Sequence, residues 1–589
     1  MADVETLYSE SGTERLNVTD RLAAVARQMP NSIAVACPAK WSRGHICERR
    51  ASRCEYATTT FAALDADATQ IARGLASWGV PKGTRLALLV RPGIDFIALV
   101  FGLLRARMIV VLVDPGLGRR NMVRCLAEAE PAGFVAVSIA QASRLWLRRK
   151  FPHARWNVTV GKRWFWGGLT LQQLREMGDR SQQDIGGATE ADDPAAIIFT
   201  SGSTGPPKGV LYTQRMFDTQ VAEIQAMYGI EPGGADLACF PLFALFNSAM
   251  GVTTVLPEMD FSRPASANPN NLLAAANDWH VTQAFASPAV WRVLGAHCAK
   301  TGARIPSLKQ VFSCGAPVTA DVLRATLSFV GASAKMHTPY GMTESLPVAT
   351  IEAAEVLGET AARTDSGAGV CVGRKFDSID WRIIRITDAP IASIDDAEEL
   401  PQGEIGELIV KGPQVSPRYV TRAEANAASK IVAQPEQPAI RNPQSANVTW
   451  HRTGDVGYFD DEHRFWYCGR KSQRVETADG PLYTECVEAI FNTHPLVRRS
   501  ALVGIGPRGN QLAALVVELS SQSVPADWQR QLKEHARGSS GAENISRILD
   551  YPSLPVDIRH NAKINREFLA AWAKPRLAAE NNSSPASGL

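Results

Sequence analysis

One segment constrains the fold more than any other part of this sequence: residues 197–210, which read IIFTSGSTGPPKGV. Its apolar start, residues 197–199, is typical of the end of a buried strand. The next residues, 201–205, are small and leave backbone amides and hydroxyl groups accessible. Lys208 adds a positive charge close to them. This composition predicts a buried strand that ends in an anion-binding loop, suited to a polyphosphate.

The loop is not a Walker A motif. Its lysine follows Pro206 and Pro207 and precedes Gly209, where that motif requires Ser or Thr. Glycine- and serine-rich turns are also common at protein surfaces, so the loop alone leaves an ordinary surface turn as the alternative. The motifs further along the chain decide between the two.

Length and composition set the broad class of the chain. With 589 residues it is too long for one core, which predicts two or more domains. A net charge of +3 gives no overall field that would favour nucleic-acid binding. Ten cysteines without CxxC pairs, and an N-terminus without a signal-peptide pattern, indicate a reducing, cytoplasmic setting.

The N-terminal part alternates helix and strand. A helix is expected over 18–29, another from residue 58 to near Gly79, and a strand over 85–90, and residues 93–116 repeat the helix-then-strand order. The apolar run 94–113 contains Arg105 and Arg107, so we predict a core helix leading into a strand rather than a transmembrane segment.

Residues 140–175 are basic and rich in aromatic residues. Cations and rings alternate there: Arg148, Arg149, Lys150, Arg155, Lys162 and Arg163 with Trp146, Trp156, Trp164, Phe165 and Trp166. One interpretation is a docking surface for a partner protein or a membrane. The other, which we favour from the sequence, is a solvated basic face whose tryptophans pack onto the domain.

The run 236–260, DLACFPLFALFNSAMGVTTVLPEMD, is apolar and aromatic without a clean period. It either fills a core or lines an apolar tunnel. The segments 281–291 and 308–319 each read as a strand that ends in a turn, the second containing Gly315. Such turns are where open α/β sheets bind ligands.

Two short motifs carry polar groups suited to a nucleotide. In HTPYGMTE, residues 337–344, Tyr340 offers a ring for stacking on a base and Glu344 an oxygen ligand for Mg²⁺. In HRTGDVGY, residues 451–458, Asp455 can accept both ribose hydroxyls. An aspartate that caps a turn is the alternative for the second motif.

The order of these segments resembles the adenylate-forming superfamily, which contains acyl-CoA synthetases, luciferases and the adenylation domains of peptide synthetases. The resemblance rests on TSGSTGPPKG, HTPYGMTE, GEIGELIVKGPQV, HRTGDVGY, CGR and LPVDIRHNAKINREFLA. It implies an α/β fold with a large N-terminal domain of mixed β-sheets flanked by helices, residues 1–469. A small, mobile α+β domain would follow over 470–575. The polar composition of 576–589 predicts a disordered tail.

The resemblance also implies roles for individual residues, with ATP and Mg²⁺ as cofactors. The catalytic residues it implies are Lys563, Thr204, Lys208 and Glu344, with Glu344 and Thr204 near the magnesium. The nucleotide-binding residues it implies are Thr200, Ser201, Gly202, Ser203, Thr204, Gly205, Lys208, Gly315, Tyr340, Gly341, Thr343, Asp455 and Arg470. The substrate pocket would include Phe243, Ala244, Phe246, Asn247 and His337, although a packed role is the alternative for His337.

Four positions depart from the usual pattern of the superfamily. Ser472 stands where the interdomain hinge usually has Asp or Lys, and Ala562 replaces the glycine before the mobile lysine. Ala244 replaces a common histidine. Glu476 stands where CoA ligases usually have lysine, and a negative charge there disfavours an incoming polyanionic thiol.

Further segments resemble the β-lactone synthetases of bacterial long-chain olefin biosynthesis: YGIEPGGADLACFPLFALFNSAMG, MDFSRPA and VETADGPLYTECVE. This resemblance implies a 2-alkyl-3-hydroxy fatty acid as substrate and a β-lactone, AMP and pyrophosphate as products. It also implies a β-lactone decarboxylase and a reductase as partners. A long-chain acyl-CoA or acyl-carrier ligase and a non-catalytic acyl-nucleotide binder are the alternatives.

Overall fold

A computed structural model of the chain describes residues 16–41, 46–49, 54–183, 185, 189–200, 205–242, 245–432, 449–521, 524–539, 541–556 and 564–583. The statements below concern these residues. Several predicted site residues, including most of the anion-binding loop and Lys563, lie outside them.

The helices occur along the whole chain. They are α1 Thr19–Gln28, α2 Phe61–Ser77, α3 Ile94–Arg105, α4 Arg119–Ala129, α5 Ser138–Trp146, α6 Leu171–Arg180, α7 Gln214–Tyr228, α8 Leu245–Met250, α9 Pro269–Asp278, α10 Pro288–Thr301, α11 Ala320–Leu327, α12 Ala353–Glu355, α13 Ala361–Asp365, α14 Glu424–Ser429, α15 Thr484–Asn492, α16 Trp528–His535 and α17 Arg566–Ser583.

The strands alternate with these helices in the first half of the chain and cluster in the second. They are β1 Ile33–Pro38, β2 Ile46–Arg49, β3 Glu55–Thr60, β4 Arg85–Leu89, β5 Ile109–Leu112, β6 Gly133–Val137, β7 Trp156–Val160, β8 Leu169–Thr170, β9 Pro194–Phe199, β10 Gly209–Thr213, β11 Ala235–Ala238, β12 Thr253–Val255, β13 Gln283–Phe285, β14 Gln310–Phe312, β15 Lys335–His337, β16 Tyr340–Met342, β17 Ser345–Thr350, β18 Val370–Lys375, β19 Asp380–Ile384, β20 Gly406–Lys411, β21 Lys430–Val432, β22 Thr449–Phe459, β23 Phe465–Arg470, β24 Val475–Thr477, β25 Gly480–Leu482, β26 Val497–Ile505, β27 Leu512–Leu519 and β28 Arg547–Asp550.

The first helices form because their apolar residues recur at helical spacing. In α2 the buried positions Phe61, Leu64, Ala68, Ile71 and Leu75 follow one face, and the Thr60 hydroxyl caps the helix by accepting from the amide of residue 63. Helix α3 is buried on nearly every side and packs on α2. The predicted core helix over this part of the chain is therefore confirmed.

Two large sheets carry the N-terminal part. The first has the order β10-β9-β5-β4-β6-β7-β8; its strands run parallel except β10, which pairs antiparallel with β9. The second has the order β15-β14-β13-β11-β12-β1-β3-β2, and β15 through β1 are parallel. Helices cover both sheets. Because most of the strands in each sheet run parallel, their carboxyl ends lie at one edge of that sheet.

The third sheet is antiparallel and follows in sequence. Its order is β16-β17-β18-β23-β22-β20-β19, and β21 pairs with β22. One core unites it with the other two sheets and includes Ile71, Leu99, Val110 and Phe465. The predicted arrangement of mixed sheets flanked by helices is confirmed.

The C-terminal part has its own small sheet, β26-β27-β28, and a hairpin, β24-β25. Separate apolar clusters lie on the two faces of that sheet, around Leu515 on one side and Val516 on the other. The division at residue 470 and the mobility of this part stay predictions. Helix α17 runs to Ser583 and so enters the segment whose composition predicts disorder.

The tryptophan-rich stretch agrees only in part with the sequence interpretation. Trp156 packs edge-on against Trp78, with ring centroids 5.0 Å apart, and Trp166 is buried, as expected. Trp146, Trp164 and Phe165 are instead exposed, so the expectation that the aromatic residues pack onto the domain is wrong for these three. None of the helices in the described parts of the chain has both the length and the apolar character needed to cross a bilayer.

A buried ion network links β20, β22 and the end of β23. Arg452 donates to Glu407 Oε2 at 2.5 Å, and Lys471 Nζ lies 3.0 and 2.9 Å from the two oxygens of the same carboxylate. The side chains of Arg452 and Glu407 are 2% and 1% exposed. One buried carboxylate therefore balances two cations.

Replacing Glu407 with Ala should destabilise the protein strongly, because two desolvated cations would lose their counter-ion. The expected cost is about 3–5 kcal/mol, seen as a lower thermal unfolding temperature by circular dichroism. Glu404→Ala, an exposed position just before the same strand, is the matched control. Equal unfolding temperatures for the two variants would contradict this account of the network.

Candidate active site

The predicted anion-binding loop is closed by the hairpin of β9 and β10. The Thr200 amide donates to the Lys208 carbonyl at 3.0 Å, and the Lys208 amide donates to the Thr200 hydroxyl at 3.0 Å. Gly205 has a φ of +144°, which favours glycine. Since the loop leads into a strand and not a helix, its geometry agrees with the exclusion of a Walker A motif. Ser201, Gly202, Ser203 and Thr204 lie outside the described residues.

Lys208 and Glu344 meet at the ring of Tyr419. The Lys208 ammonium lies 4.7 Å from the ring centroid, and the Tyr419 hydroxyl donates to Glu344 Oε1 at 2.6 Å. Burial, followed by the negative charge of Glu344, raises the pKa of Tyr419. Tyr419 therefore stays a neutral donor that holds one carboxylate oxygen of Glu344. The other carboxylate oxygen of Glu344 accepts no hydrogen bond from the described residues, so it is available as a ligand for a hard cation.

A second lysine, Lys430, belongs to the same group. Its ammonium donates to the Ser416 carbonyl and lies 5.8 Å from the centroid of the Tyr419 ring. Burial lowers its pKa to about 7, Glu344 opposes that shift, and Lys208 adds to it. The site thus carries two ammonium groups around one aromatic ring.

Tyr340, Asp455 and Arg470 form the second group. The Tyr340 hydroxyl donates to Asp455 Oδ2, and Arg470 Nη1 lies 2.9 Å from Asp455 Oδ1. Arg470 also donates to the Thr453 carbonyl at 3.0 Å. Asp455 and Arg470 are directly paired in the β22–β23 register, which fixes their spacing. A structural role for Asp455 and a role in binding hydroxyls are compatible, because each carboxylate oxygen accepts more than one hydrogen bond.

The two groups lie within electrostatic range of each other. Burial tends to lower the pKa of Arg470, but Asp455, Tyr467, Tyr340 and Glu344 together raise it above its ordinary value. Arg470 therefore senses both Asp455 and Glu344. The structure brings together Lys208, Glu344, Tyr340, Asp455 and Arg470, and their role in binding a nucleotide stays a prediction.

Glycines and backbone groups complete the surroundings. Thr343 accepts a hydrogen bond from the Tyr212 hydroxyl at 2.7 Å through its main-chain carbonyl. A Cβ on Gly341 would lie 3.0 Å from the carbonyl of residue 345, so the turn is tight. Gly315, with a φ of +92°, follows β14, whose carboxyl end lies beside that of β15 before Tyr340.

Two of the predicted substrate-pocket residues, Phe246 and Asn247, lie on helix α8. Phe246 is buried in α8 and packs on Phe217, with centroids 6.1 Å apart. Asn247 is buried and donates to Asp236 Oδ2 at 2.7 Å; burial raises the pKa of that carboxyl to about 7. Both side chains serve the core here. Phe243 and Ala244 lie outside the described residues.

His337 occupies a packed position at the end of β15. Its ring stacks on Phe312 at 5.9 Å, approaches Tyr228 at 4.8 Å, and Nε2 lies 3.1 Å from Gln310 Oε1. Burial lowers its pKa, so the ring is held neutral. This is the packed alternative that the sequence left open.

Glu476, which stands where CoA ligases usually have lysine, is paired with arginines in the structure. Glu476 forms an ion pair with Arg474 at 2.5 Å, and Arg508 lies 3.9 Å away. Its negative charge is therefore partly balanced by neighbouring cations, which weakens the argument that it would repel a polyanionic thiol passing close by. Lys563 and Ala562 lie outside the described residues.

Tyr419 and Lys430 are absent from the sequence-based prediction. Tyr419 stands in SPRYV, directly after the segment GEIGELIVKGPQV. Its position next to that segment is the one sequence signal that could have indicated it. Lys430 ends the alanine-rich run AEANAASK and has no local pattern that separates it from a surface lysine. Tertiary pairing alone places both beside Glu344.

Two relatives are similar to this chain over almost their whole length. An olefin β-lactone synthetase from Stenotrophomonas maltophilia is 45% identical over 563 residues, covering 95% of this chain and 98% of the relative. A second olefin β-lactone synthetase, from Xanthomonas campestris pv. campestris, is 43% identical over 564 residues, with the same coverage of both chains.

Solved structures share the fold at much lower identity. The amide bond synthetase McbA from Marinactinospora thermotolerans aligns with a TM-score of 0.72 at 21% identity, covering 94% of this chain and 99% of McbA. The o-succinylbenzoate CoA synthetase MenE from Bacillus subtilis, in complex with its acyl-adenylate intermediate, aligns with a TM-score of 0.68 at 21% identity, covering 95% and 98%.

The family model for AMP-binding enzymes matches residues 38–420, a range that includes the anion-binding loop, Tyr340, Glu344 and Tyr419. Together with the two long relatives, this match confirms the resemblance drawn from the sequence motifs. The chain belongs to the family of AMP-binding enzymes.

Proposed function

We propose that this protein is an AMP-forming ligase that converts a 2-alkyl-3-hydroxy fatty acid to a β-lactone. ATP activates the carboxylate as an acyl adenylate with release of pyrophosphate, and the 3-hydroxyl then closes the ring with release of AMP. Similarity over nearly full length to two olefin β-lactone synthetases carries the choice of product. The proximity of two polar clusters, one around Glu344 and one around Asp455, supports the adenylation step.

Adenylate formation requires two anions, the fatty carboxylate and the α-phosphate, to approach each other. Lys208 and the amides of the anion-binding loop would neutralise phosphate charge as the pyrophosphate bond breaks. Thr204 and Lys563 are proposed to act in the same step, Lys563 by reaching the reacting carboxylate from the C-terminal part. No protein nucleophile is needed, because the substrate carboxylate attacks.

Magnesium would be held by Glu344, with Thr204 as a second candidate. The fit rests on the chemistry of the site: Glu344 presents one carboxylate oxygen that is free of hydrogen bonds from the described residues, while Tyr419 fixes the other. Magnesium prefers one or two carboxylates together with phosphate oxygens. When bound, the ion would supply positive charge at the phosphates.

The nucleoside would be oriented by the second group. Tyr340 offers its ring to the base, and Asp455 accepts from the ribose hydroxyls while Arg470 holds the carboxylate in place. Thr200, Ser201, Gly202, Ser203, Gly205, Gly315, Gly341 and Thr343 would line the nucleotide. Because Tyr340 already donates to Asp455, ribose binding would share or replace that hydrogen bond.

Ring closure needs no external acceptor. The 3-hydroxyl oxygen forms a bond to the acyl carbon, the bond from that carbon to the phosphate oxygen breaks, and AMP leaves while the hydroxyl proton is released. The hydroxyl lies in the same molecule, which gives it a high effective concentration. Phe243, Ala244 and Phe246 are proposed to help exclude water, which would otherwise hydrolyse the adenylate. Cytoplasmic location and association with a decarboxylase and a reductase remain part of this proposal.

Product analysis separates ring formation from thioester formation. Incubation with a 2-alkyl-3-hydroxy acid, ATP and Mg²⁺ without CoA should give a β-lactone, detected by mass spectrometry, together with AMP. The 3-deoxy analogue should be adenylated and then stall, because it lacks the attacking oxygen. Continued turnover of that analogue with CoA would instead identify an acyl-CoA ligase, and nucleotide binding without turnover of either acid would identify a non-catalytic binder.

Replacing Asp455 with Asn should weaken ATP use, because a neutral amide cannot accept both ribose hydroxyls or pair with Arg470. Loss of charge-assisted hydrogen bonds predicts a rise of about 10- to 100-fold in the KM for ATP, measured by pyrophosphate release. Asp461→Asn, an exposed position after the same strand, is the control. An unchanged KM in Asp455→Asn would remove this residue from the ribose site.

A further inference from the structure

Four side chains on one face of the N-terminal part stand out by their exposure. Ile139, Trp146, Trp164 and Phe165 are 77%, 88%, 66% and 78% exposed. Among the described residues, the next most exposed large apolar side chains, Val432 and Phe568, reach only 46%. The most exposed apolar side chains of the described chain therefore lie within one short stretch of sequence. We call these four residues the aromatic face.

The fold links the loop that carries Trp164 and Phe165 to the start of α5, the helix that carries Ile139 and Trp146. Strands β6 and β7 are parallel neighbours with Val137 opposite Val160, so α5 and the loop 161–168 leave the same edge of the sheet. The Ser138 hydroxyl donates to the Lys162 carbonyl at 2.5 Å and ties the start of α5 to that loop. Ile139 and Trp146 are seven residues apart, hence on one side of α5 and about 10 Å from each other.

The loop is held in a form that keeps its rings outward. Trp166 is buried beneath it, and its indole N–H donates to the Thr159 hydroxyl at 3.0 Å. Trp164 and Phe165 contact Trp166 with ring centroids 5.7 and 5.6 Å apart. Arg163 donates to the Gly168 carbonyl and so closes the loop. The exposure of Trp164 and Phe165 thus follows from a packed support beneath them.

The surroundings of the aromatic face carry a single sign of charge. Residues 131–175 contain no Asp or Glu and eight basic residues: Arg144, Arg148, Arg149, Lys150, Arg155, Lys162, Arg163 and Arg175. In the described part of the chain, no carboxylate forms an ion pair with Arg148, Arg149, Lys150 or Lys162. With a net charge of only +3 for the whole chain, this concentration is local.

We propose that the aromatic face docks onto an anionic lipid surface. Trp164, Phe165 and Ile139 enter the boundary between headgroups and acyl chains, where aromatic rings are favoured. The cations around them contact lipid phosphates. The apolar side chains project from a loop and a helix into solvent, which suits insertion into a fluid interface. The unbroken positive charge selects an anionic surface.

The position of the face gives docking a use, provided that the proposed function holds. Strands β7 and β9 end at the same edge of one sheet and are four inter-strand steps apart, about 19 Å. The anion-binding loop leaves β9 at that edge. An enzyme resting on the membrane by this face would hold its nucleotide site near the surface into which a long-chain acid partitions.

Vesicle flotation with the full chain tests the proposal. Phosphatidylcholine vesicles containing phosphatidylglycerol should carry the protein, pure phosphatidylcholine vesicles should carry much less, and added salt should weaken the binding. The triple variant Trp146→Ser, Trp164→Ser, Phe165→Ser should have an affinity for anionic vesicles that is lower by a factor of about ten or more. Arg148→Gln with Arg149→Gln and Lys150→Gln should lose the preference for phosphatidylglycerol.

Phe568→Ser, at an exposed ring on α17, is the matched control and should bind like the original chain. Unfolding temperatures and pyrophosphate release with a short soluble acid check that the variants remain folded. Equal vesicle binding by the triple variant, or no binding by the original chain at low salt, would overturn the proposal. The second result would assign the face to a protein or nucleic-acid partner instead.

A second inference concerns Lys430, and it rests on the proposed function. Lys430 starts β21, opposite His451 of β22, and shares the Tyr419 ring with Lys208. The charged and titratable groups that face it are Glu344, Lys208, His451 and Tyr419. Burial and then Lys430 itself lower the pKa of His451 well below its usual value, so that ring stays neutral. Only Glu344 in this group is an anion.

The geometry points to Lys430 as a second polyphosphate-binding lysine, which contacts the pyrophosphate portion of ATP alongside Lys208. The ammonium groups of Lys208 and Lys430 lie around the ring of Tyr419, whose hydroxyl donates to Glu344. An incoming anion favours the charged form of the lysine.

Lys430→Met should lower ATP affinity about tenfold, measured by calorimetry, whereas Lys430→Arg, which keeps a positive charge, should retain most of it. Lys411→Met is the control, since Lys411 stacks on Trp450 outside the site. Equal ATP affinities for Lys430→Met and the original chain would overturn this inference alone. Failure of the original chain to bind ATP would instead overturn the proposed function.

Discussion

The backbone pairing of residues 415–421 is the constraint on which the site depends. Tyr419 forms a bridge with Val210 of β10, and Ser345 forms one with Val415. The Gly209 amide donates to the Thr421 hydroxyl at 2.8 Å, and the Ser416 amide donates to the Glu344 carbonyl at 2.8 Å. This short stretch therefore joins the strand after the anion-binding loop to the strand after Glu344. Without it, Lys208 and Glu344 would have no common neighbour.

The third sheet adds the remaining polar groups by register. Because β22 lies between β20 and β23, it presents Asp455 to Arg470 on one side and Arg452 to Glu407 on the other. The first pair serves the site, and the second anchors the strands in a desolvated core. The charge pairs of the candidate site and the buried ion pair that stabilises the fold thus depend on the same ladder, which places both close together.

The sequence predicted the parts of the site that lie in contiguous motifs. Local composition indicated the strand end before the loop around Lys208 and the segments that carry Tyr340, Glu344 and Asp455, although Asp455 lies within β22 and not on a turn. It did not predict Tyr419 or Lys430, whose roles arise from strand pairing between distant segments. It also misjudged Trp146, Trp164 and Phe165, because aromatic residues near cations pack inward or face outward according to what lies beneath them.

By itself the sequence determined the family and the alternation of helix and strand, because glycine turns and apolar periodicity act over a few residues. The tertiary structure decided which groups share an environment. It paired Glu476 with Arg474, buried Asn247 against Asp236, and set two lysines around one ring. Those outcomes depend on through-space distance and desolvation, and neither can be read from separation along the chain.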